Sequence, residues 1–153
     1  MPPSSAPAIV IDAGIGVCTV TDAPLNESAR AAWASWQAQG QEIYAPSLWR
    51  SEVTSALHKL FRLKQLTQTE AEAALDIALA LDVQIVEADD DLCRQSFRWA
   101  TRLQATAAYD GFYLALAERL GAEFWTTDER LTRNAHQVGA DWVHWLGEVE
   151  QVK

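Results

Sequence analysis

Ala8-Ile9-Val10-Ile11-Asp12 is an uninterrupted apolar run of strand length that stops on a carboxylate, with Gly14 and Gly16 just beyond it. A run without polar alternation reads as a strand covered on both faces, as in a parallel sheet flanked by helices. The rest of the chain repeats the theme. Ile43-Tyr44-Ala45, Val83-Gln84-Ile85-Val86 and Glu123-Phe124-Trp125-Thr126 read as further short strands, and Trp142-Val143-His144-Trp145 as a last edge strand. Between them lie stretches of helical period. One starts near Asn26, whose side chain suits a cap, and keeps Ala29, Ala32, Trp33 and Trp36 on one face as far as Gly40. Pro46-Ser47 opens a second, with Trp49, Val53, Ala56, Leu57, Leu60 and Phe61 recurring at three and four. Thr67-Gln68-Thr69-Glu70 has the form of a capping box ahead of Ala71, Ala74, Leu75, Ala78 and Leu79.

Asp89-Asp90-Asp91 starts a further helix, where negative charge suits the dipole and Arg94 can pair with Asp90 four residues earlier. Leu92, Phe97, Ala100 and Leu103 are its apolar positions. The next helix runs from about Ala107 to Leu120, with Tyr109, Phe112, Tyr113, Leu116 and Leu120 facing inward and Gly121 suited to its C-terminal cap. Asp128 caps a last short helix. Strands alternating with helices predict an α/β fold, a three-layer α/β/α sandwich around a mainly parallel sheet. It spans residues 8–146, between a loose N-terminal tail at 1–7 and an exposed charged tail at 147–153.

Composition narrows the classes. At 153 residues, 49% hydrophobic and 22% charged, with 7 Gly and 5 Pro, the chain can bury a core without disulfides or structural metal, and disorder is excluded. Cys18 and Cys93 have no C-x-x-C partner, so neither a disulfide framework nor a zinc cluster is expected, which suits a reducing compartment. The first residues lack the positive region of a secretory signal. Asp76, Asp82 and Glu87 interrupt the most apolar region, so a soluble cytoplasmic protein is expected. His58, His136 and His144 match no metal-ligand spacing, and Trp33, Trp36, Trp49 and Trp99 fall on apolar helical faces, as core or subunit packing requires. A net charge of −9 makes the protein no obvious nucleic-acid binder.

Four acids are poorly explained by structure alone. In a parallel α/β sheet, function gathers at the carboxyl ends of the strands. Asp12 ends the first strand, Asp128 follows the fourth, and Glu52 lies about a turn and a half into the helix after the second. Asp110 heads a helix leading into the fourth strand, so its side of the sheet is open. Carboxylates forced together repel, and one stays protonated unless cations sit among them. Hard oxygen donors suit Mg²⁺ or Mn²⁺, and two such ions can activate water and stabilise the leaving oxygen of a phosphodiester.

At these residues the chain resembles a known family. Val10-Ile11-Asp12-Ala13-Gly14, Pro46-Ser47-Leu48-Trp49-Arg50-Ser51-Glu52-Val53, Ala108-Tyr109-Asp110-Gly111-Phe112-Tyr113-Leu114-Ala115-Leu116-Ala117 and Thr126-Thr127-Asp128-Glu129-Arg130-Leu131 together resemble a PIN-domain ribonuclease of the VapC toxin type. The resemblance implies that Asp12, Glu52, Asp110 and Asp128 hold Mg²⁺ or Mn²⁺ for endonucleolytic RNA cleavage, with Thr126 supplying a hydroxyl beside them. It also implies a homodimer and a small cognate antitoxin. Gly14 departs from the pattern, since the family often has Ser or Thr there.

Two basic helix faces, Arg50, Lys59 and Arg62 on one and Arg98 and Arg102 on the other, read either as solvated faces or as a groove that tracks RNA phosphates. Two other readings stand beside the nuclease. A PIN-like scaffold that binds RNA or protein without cutting is favoured by Gly14. A phosphoryl-transfer domain with Asp12 as nucleophile is disfavoured, because Asp12-Ala13-Gly14 lacks the second acid of a D-x-D loop.

Overall fold

The computed structural model describes residues 8–151. β1 (Ile9–Ile11), β2 (Ile43–Pro46), β3 (Gln84–Val86), β4 (Glu123–Thr126) and β5 (Val143–Trp145) form one sheet in the order β3-β2-β1-β4-β5, and every neighbouring pair is parallel. β1 lies at the centre, with Ile9 opposite both Ile43 and Glu123, and its three residues are fully buried. That position is why its sequence is a solid apolar run. Edge strand β3, by contrast, exposes Gln84 and only half-buries Ile85 and Val86.

Among the described residues there are eight helices: α1 (Ala13–Val20), α2 (Asn26–Ala38), α3 (Leu48–Arg62), α4 (Gln68–Ala80), α5 (Asp90–Arg102), α6 (Tyr109–Leu120), α7 (Glu129–Gln137) and α8 (Glu148–Gln151). α1 packs on α2, α3 and α4, whereas α5 packs on α6, and α6 lies against β1, β2 and β4. Right-handed crossovers outward through β2 to β3, then back across the sheet to β4 and β5, put α1–α4 on one face and α5–α7 on the other. The three predicted layers follow. Among the described residues, no helix is long and apolar enough to cross a membrane.

Several of the predicted caps form. Thr67 and Glu70 form both bonds of the capping box, and Asp89 caps α5 by accepting from Leu92 N at 2.7 Å. Arg119 donates to both carboxylate oxygens of Asp89, and this holds its carboxyl down to about 2. Gly121 ends α6 at φ +62°. Trp33, Trp36, Trp49 and Trp99 are buried, so they pack inside this chain; Trp99 meets Trp142 edge-on with centroids 5.6 Å apart. Helices α5 and α6 approach so closely that a Cβ on Gly111 would lie 2.3 Å from the Ser96 carbonyl oxygen.

Several expectations need correction. The sequence pattern predicts no element between Asp12 and Asn26, yet α1 forms there. Its sequence, Ala-Gly-Ile-Gly-Val-Cys-Thr-Val, has no polar face to set a period, and burial among three other helices overrides the two glycines and the β-branched residues. Asn26 does not cap α2. It is the first helical residue, and its amide donates to Cys18 O at 2.8 Å, tying α2 to the end of α1. Arg94 pairs with Asp91, one turn away at 2.9 Å, and not with Asp90. Phe97 and Tyr109, expected at apolar positions, are 71% and 64% exposed. At the C-terminal end, Leu146 and Gly147 are buried and α8 begins at Glu148, so an exposed tail does not start at 147. The N-terminal tail at 1–7 and residues 152–153 lie outside the described residues.

Candidate active site

The chain runs outward from β1 to β2 and β3, then returns to add β4 and β5 on the other side. The crevice at the carboxyl ends of β1 and β4 is therefore the point where strand order reverses, the usual ligand position in an open α/β sheet. Asp12 leaves β1 there, and Thr126, Thr127 and Asp128 leave β4.

Asp12 is the N-cap of α1. Its Oδ1 accepts from Ile15 N at 2.9 Å, and its Oδ2 accepts from Thr126 Oγ1 at 2.5 Å and from Thr127 N at 3.3 Å. Its main-chain carbonyl accepts from Trp49 Nε1 at 2.9 Å, which anchors the start of α3 to the end of β1. Thr126 is fully buried, and its hydroxyl also accepts from Asp128 N at 3.0 Å. One threonine thus bridges both acids. Asp128 in turn caps α7 through Leu131 N at 3.0 Å. On α3, Glu52 Oε1 accepts from the Tyr113 hydroxyl at 2.5 Å, a bond that ties α3 to α6. Asp110 stands in the first turn of α6, open to solvent along one side.

Asp110 is the acid through which the charges are coupled. Burial lifts the Asp12 carboxyl from 3.8 to about 6, against the opposing bonds from Thr126, Ile15 and Thr127, and Asp110 adds to the rise. Asp110 is also raised, first by partial burial and then by the charges of Asp128 and Glu52. The Tyr113 hydroxyl is pushed up by burial and by its bond to Glu52, so it stays a donor. Mutual repulsion among hard oxygen donors is the condition that a divalent cation relieves. Among the described residues, however, no group of three or more His, Cys, Asp or Glu side chains stands close enough together to hold a metal ion. Asp12, Glu52 and Asp128 are each held by protein donors of their own. Such an open set fits Mg²⁺, which commonly takes one or two carboxylates and completes its shell with water and substrate oxygens.

Gly14 acquires a structural reason. A Cβ at that position would lie 2.0 Å from Thr127 Oγ1, so the Thr127 hydroxyl fills the space a side chain at 14 would need. Sequence reasoning missed Thr127, and it placed Tyr113 in the core without its tie to Glu52. The one available signal was the pairing of Gly14 with consecutive threonines before Asp128.

The basic residues expected to meet RNA have other surroundings. Arg102 lies over the Trp99 ring at 4.1 Å and donates to Val138 O at 2.8 Å, so it is a packing residue. Arg62 lies 6.0 Å from the Phe61 centroid, Arg50 borders a hollow with His58 and Leu79, and Arg98 borders another with Cys93 and Phe97. Lys59 is exposed in the last turn of α3. None of the five lines the hollow that holds Asp110 and Asp128.

The PIN domain family profile matches residues 9–137, and the chain belongs to that family. Its fold is shared by solved structures of low sequence identity. VapC20 of Mycobacterium tuberculosis, a sarcin-ricin loop cleaving toxin, is 18% identical with a TM-score of 0.61, covering 82% of this chain and 94% of that one. A toxin-antitoxin complex from Klebsiella pneumoniae is 16% identical with a TM-score of 0.62, over 91% and 98%. PAE2754 from Pyrobaculum aerophilum is 19% identical with a TM-score of 0.67, over 93% and 92%. Comparison with curated proteins yields no match.

Proposed function

We propose that the protein is a divalent-metal-dependent endoribonuclease, the toxin of a toxin-antitoxin pair, acting in the cytoplasm as a homodimer. The observation that carries this reading is the switch-point crevice, where Asp12 and Asp128 leave adjacent parallel strands bridged by Thr126, with Asp110 coupled to Asp128 and Glu52. Membership of the PIN family and likeness in fold to a toxin that cleaves the sarcin-ricin loop support RNA as the substrate. Likeness to a toxin-antitoxin complex supports a small antitoxin partner.

In this reading Asp12, Glu52, Asp110 and Asp128 hold Mg²⁺ or Mn²⁺. The ion, when bound, supplies charge neutralisation at the phosphate and an acidified water for in-line attack. The protein's own part is positioning. Thr126 ties the Asp12 carboxylate to the main chain of Asp128, Tyr113 holds one oxygen of Glu52 and leaves the other free, and Asp12 and Asp128 are fixed in place as the caps of α1 and α7. No side chain needs to act as a nucleophile.

The test is cleavage of end-labelled single-stranded RNA by the purified protein in MgCl₂ and in EDTA, alongside Asp12→Asn and Asp110→Asn. Magnesium-dependent products that fall at least a hundredfold in both variants support the assignment. An Asp12→Asn protein that cuts as fast as the parent overturns it. RNA binding without any magnesium-dependent product selects the non-cutting scaffold instead.

A further inference from the structure

The hollow beside the acids has one wall that the nuclease reading leaves unused. It encloses about 390 Å³ between the loop joining α5 to α6 and the outer face of α7, and it is lined by Asp110 and Asp128 together with Gln104, Thr106, Arg130 and Asn134. Arg130 and Asn134 are four residues apart on α7, so they project from one face of that helix. Although Arg130 shares the hollow with two carboxylates, its guanidinium forms no ion pair or hydrogen bond among the described residues. The half-buried Asn134 amide likewise has no partner there. Gln104 closes the other side from the left-handed position (φ +55°) that ends α5, where Ala105 N donates to Ala100 O at 2.9 Å.

Resting on the nuclease reading, we infer that this hollow is the subsite for the nucleotide next to the scissile phosphate. Arg130 receives a backbone phosphate, and the Asn134 and Gln104 amides read the edge of an unpaired base. The chemistry suits the ligand on three counts. An unpaired guanidinium is a fork for phosphate oxygens. A primary amide offers a donor and an acceptor side by side, as base edges require. The volume lies at the low end of small-molecule sites, about 300–1,000 Å³, which admits one nucleotide and not a duplex. The other hollows, between α3 and α4 and against α5, hold none of the four acids. The subsite also places the cation that greets RNA on α7, two residues after Asp128, and not on the α3 or α5 faces.

The experiment is a titration of ¹⁵N-labelled full-length protein with each of the four ribonucleoside 5′-monophosphates in MgCl₂, using the magnesium-only spectrum as reference. Saturable shifts of the Asn134 and Gln104 side-chain amides, unequal among the four bases and weakened at least tenfold in Arg130→Gln, are expected. Arg130 is exposed, so its substitution leaves the fold intact. A second readout is the cleavage pattern on a random single-stranded RNA pool. Asn134→Ala should flatten base preference at one position flanking the cut while Arg130→Gln raises KM with kcat retained. Shifts confined to the α3–α4 hollow or the α5 face, or no shifts at all, overturn the subsite. If the parent fails to cut RNA yet the amide shifts appear, the nuclease reading fails and with it the place beside a scissile phosphate, while nucleotide binding by Arg130, Asn134 and Gln104 stands. If the parent cuts RNA, Asn134→Ala keeps the parental preference and the shifts are absent, the subsite fails alone.

Discussion

Replacing the Asp12 carboxylate should make the metal-free protein more stable. Burial raises this carboxyl from 3.8 to about 6, so the folded state binds the proton more tightly than the unfolded chain does. The stabilising contribution of a raised group is complete below the unfolded value near 3.8 and is lost as pH climbs through about 6. Above that, ionised Asp12 is a net burden on folding. At about 1.4 kcal/mol per tenfold change in proton affinity, the rise corresponds to roughly 3 kcal/mol. Asn keeps the shape and can still accept from Ile15 N, but its NH₂ then replaces the oxygen that accepts from Thr126 Oγ1 and Thr127 N, a mismatch costing about 1–2 kcal/mol. Asp12→Asn should therefore be more stable than the parent by about 1–2 kcal/mol near pH 8 in EDTA, with the advantage gone near pH 4. Urea unfolding at about pH 8, 6 and 4 reads this directly. MgCl₂ should raise the parent's midpoint more than the variant's. A variant less stable than the parent near pH 8, or a difference that does not change with pH, would refute the reasoning that burial strains this acid.

Four further outcomes follow from the packing. Thr126→Val strips the bridge between Asp12 and Asp128 and leaves Asp128 N–H without its acceptor, so a loss of about 1–3 kcal/mol in urea unfolding and a sharp fall in cleavage rate are expected. Gly111→Ala drives a methyl into the Ser96 carbonyl and should cost about 1–3 kcal/mol, seen as a lowered Tm; an unchanged Tm would mean that α5 and α6 are less tightly joined than the structure has them. Gly14→Ser should destabilise through its contact with Thr127, and Thr127→Ala in the same chain should recover part of the loss in thermal unfolding. The Cys18 thiol, pushed up to about 11 by burial, should resist iodoacetamide near pH 8 while exposed Cys93 reacts, so mass spectrometry of the native protein should find one adduct.

The sequence by itself determined the features that depend on near neighbours. The solid apolar run Ile9–Ile11 announced a central parallel strand, Thr67 with Glu70 announced a helix start, and Asp89 and Asp128 announced caps, because each is decided within a turn or two of chain. It also singled out four acids, Asp12 and Asp128 just after strands and Glu52 and Asp110 on helices, although Asp12 and Asp128 proved to cap helices as well. Only the tertiary structure decided the rest. Helix α1 was invisible because an all-apolar segment has no period; three neighbouring helices create it. Phe97 and Tyr109 share the helical spacing of core residues but face solvent, since α5 and α6 bury only the side that meets Ser96, Gly111 and the sheet. The side of the sheet taken by Asp110 rests on the long return from β3 over β2 and β1 to β4. Gly14 looked like a missing hydroxyl until Thr127, more than a hundred residues away in sequence, proved to fill its place. The −9 charge likewise argues against nucleic acid only as a sum. The fold sets Asp110 and Asp128 in one hollow with the unpaired Arg130, and a sum over the chain carries no positions.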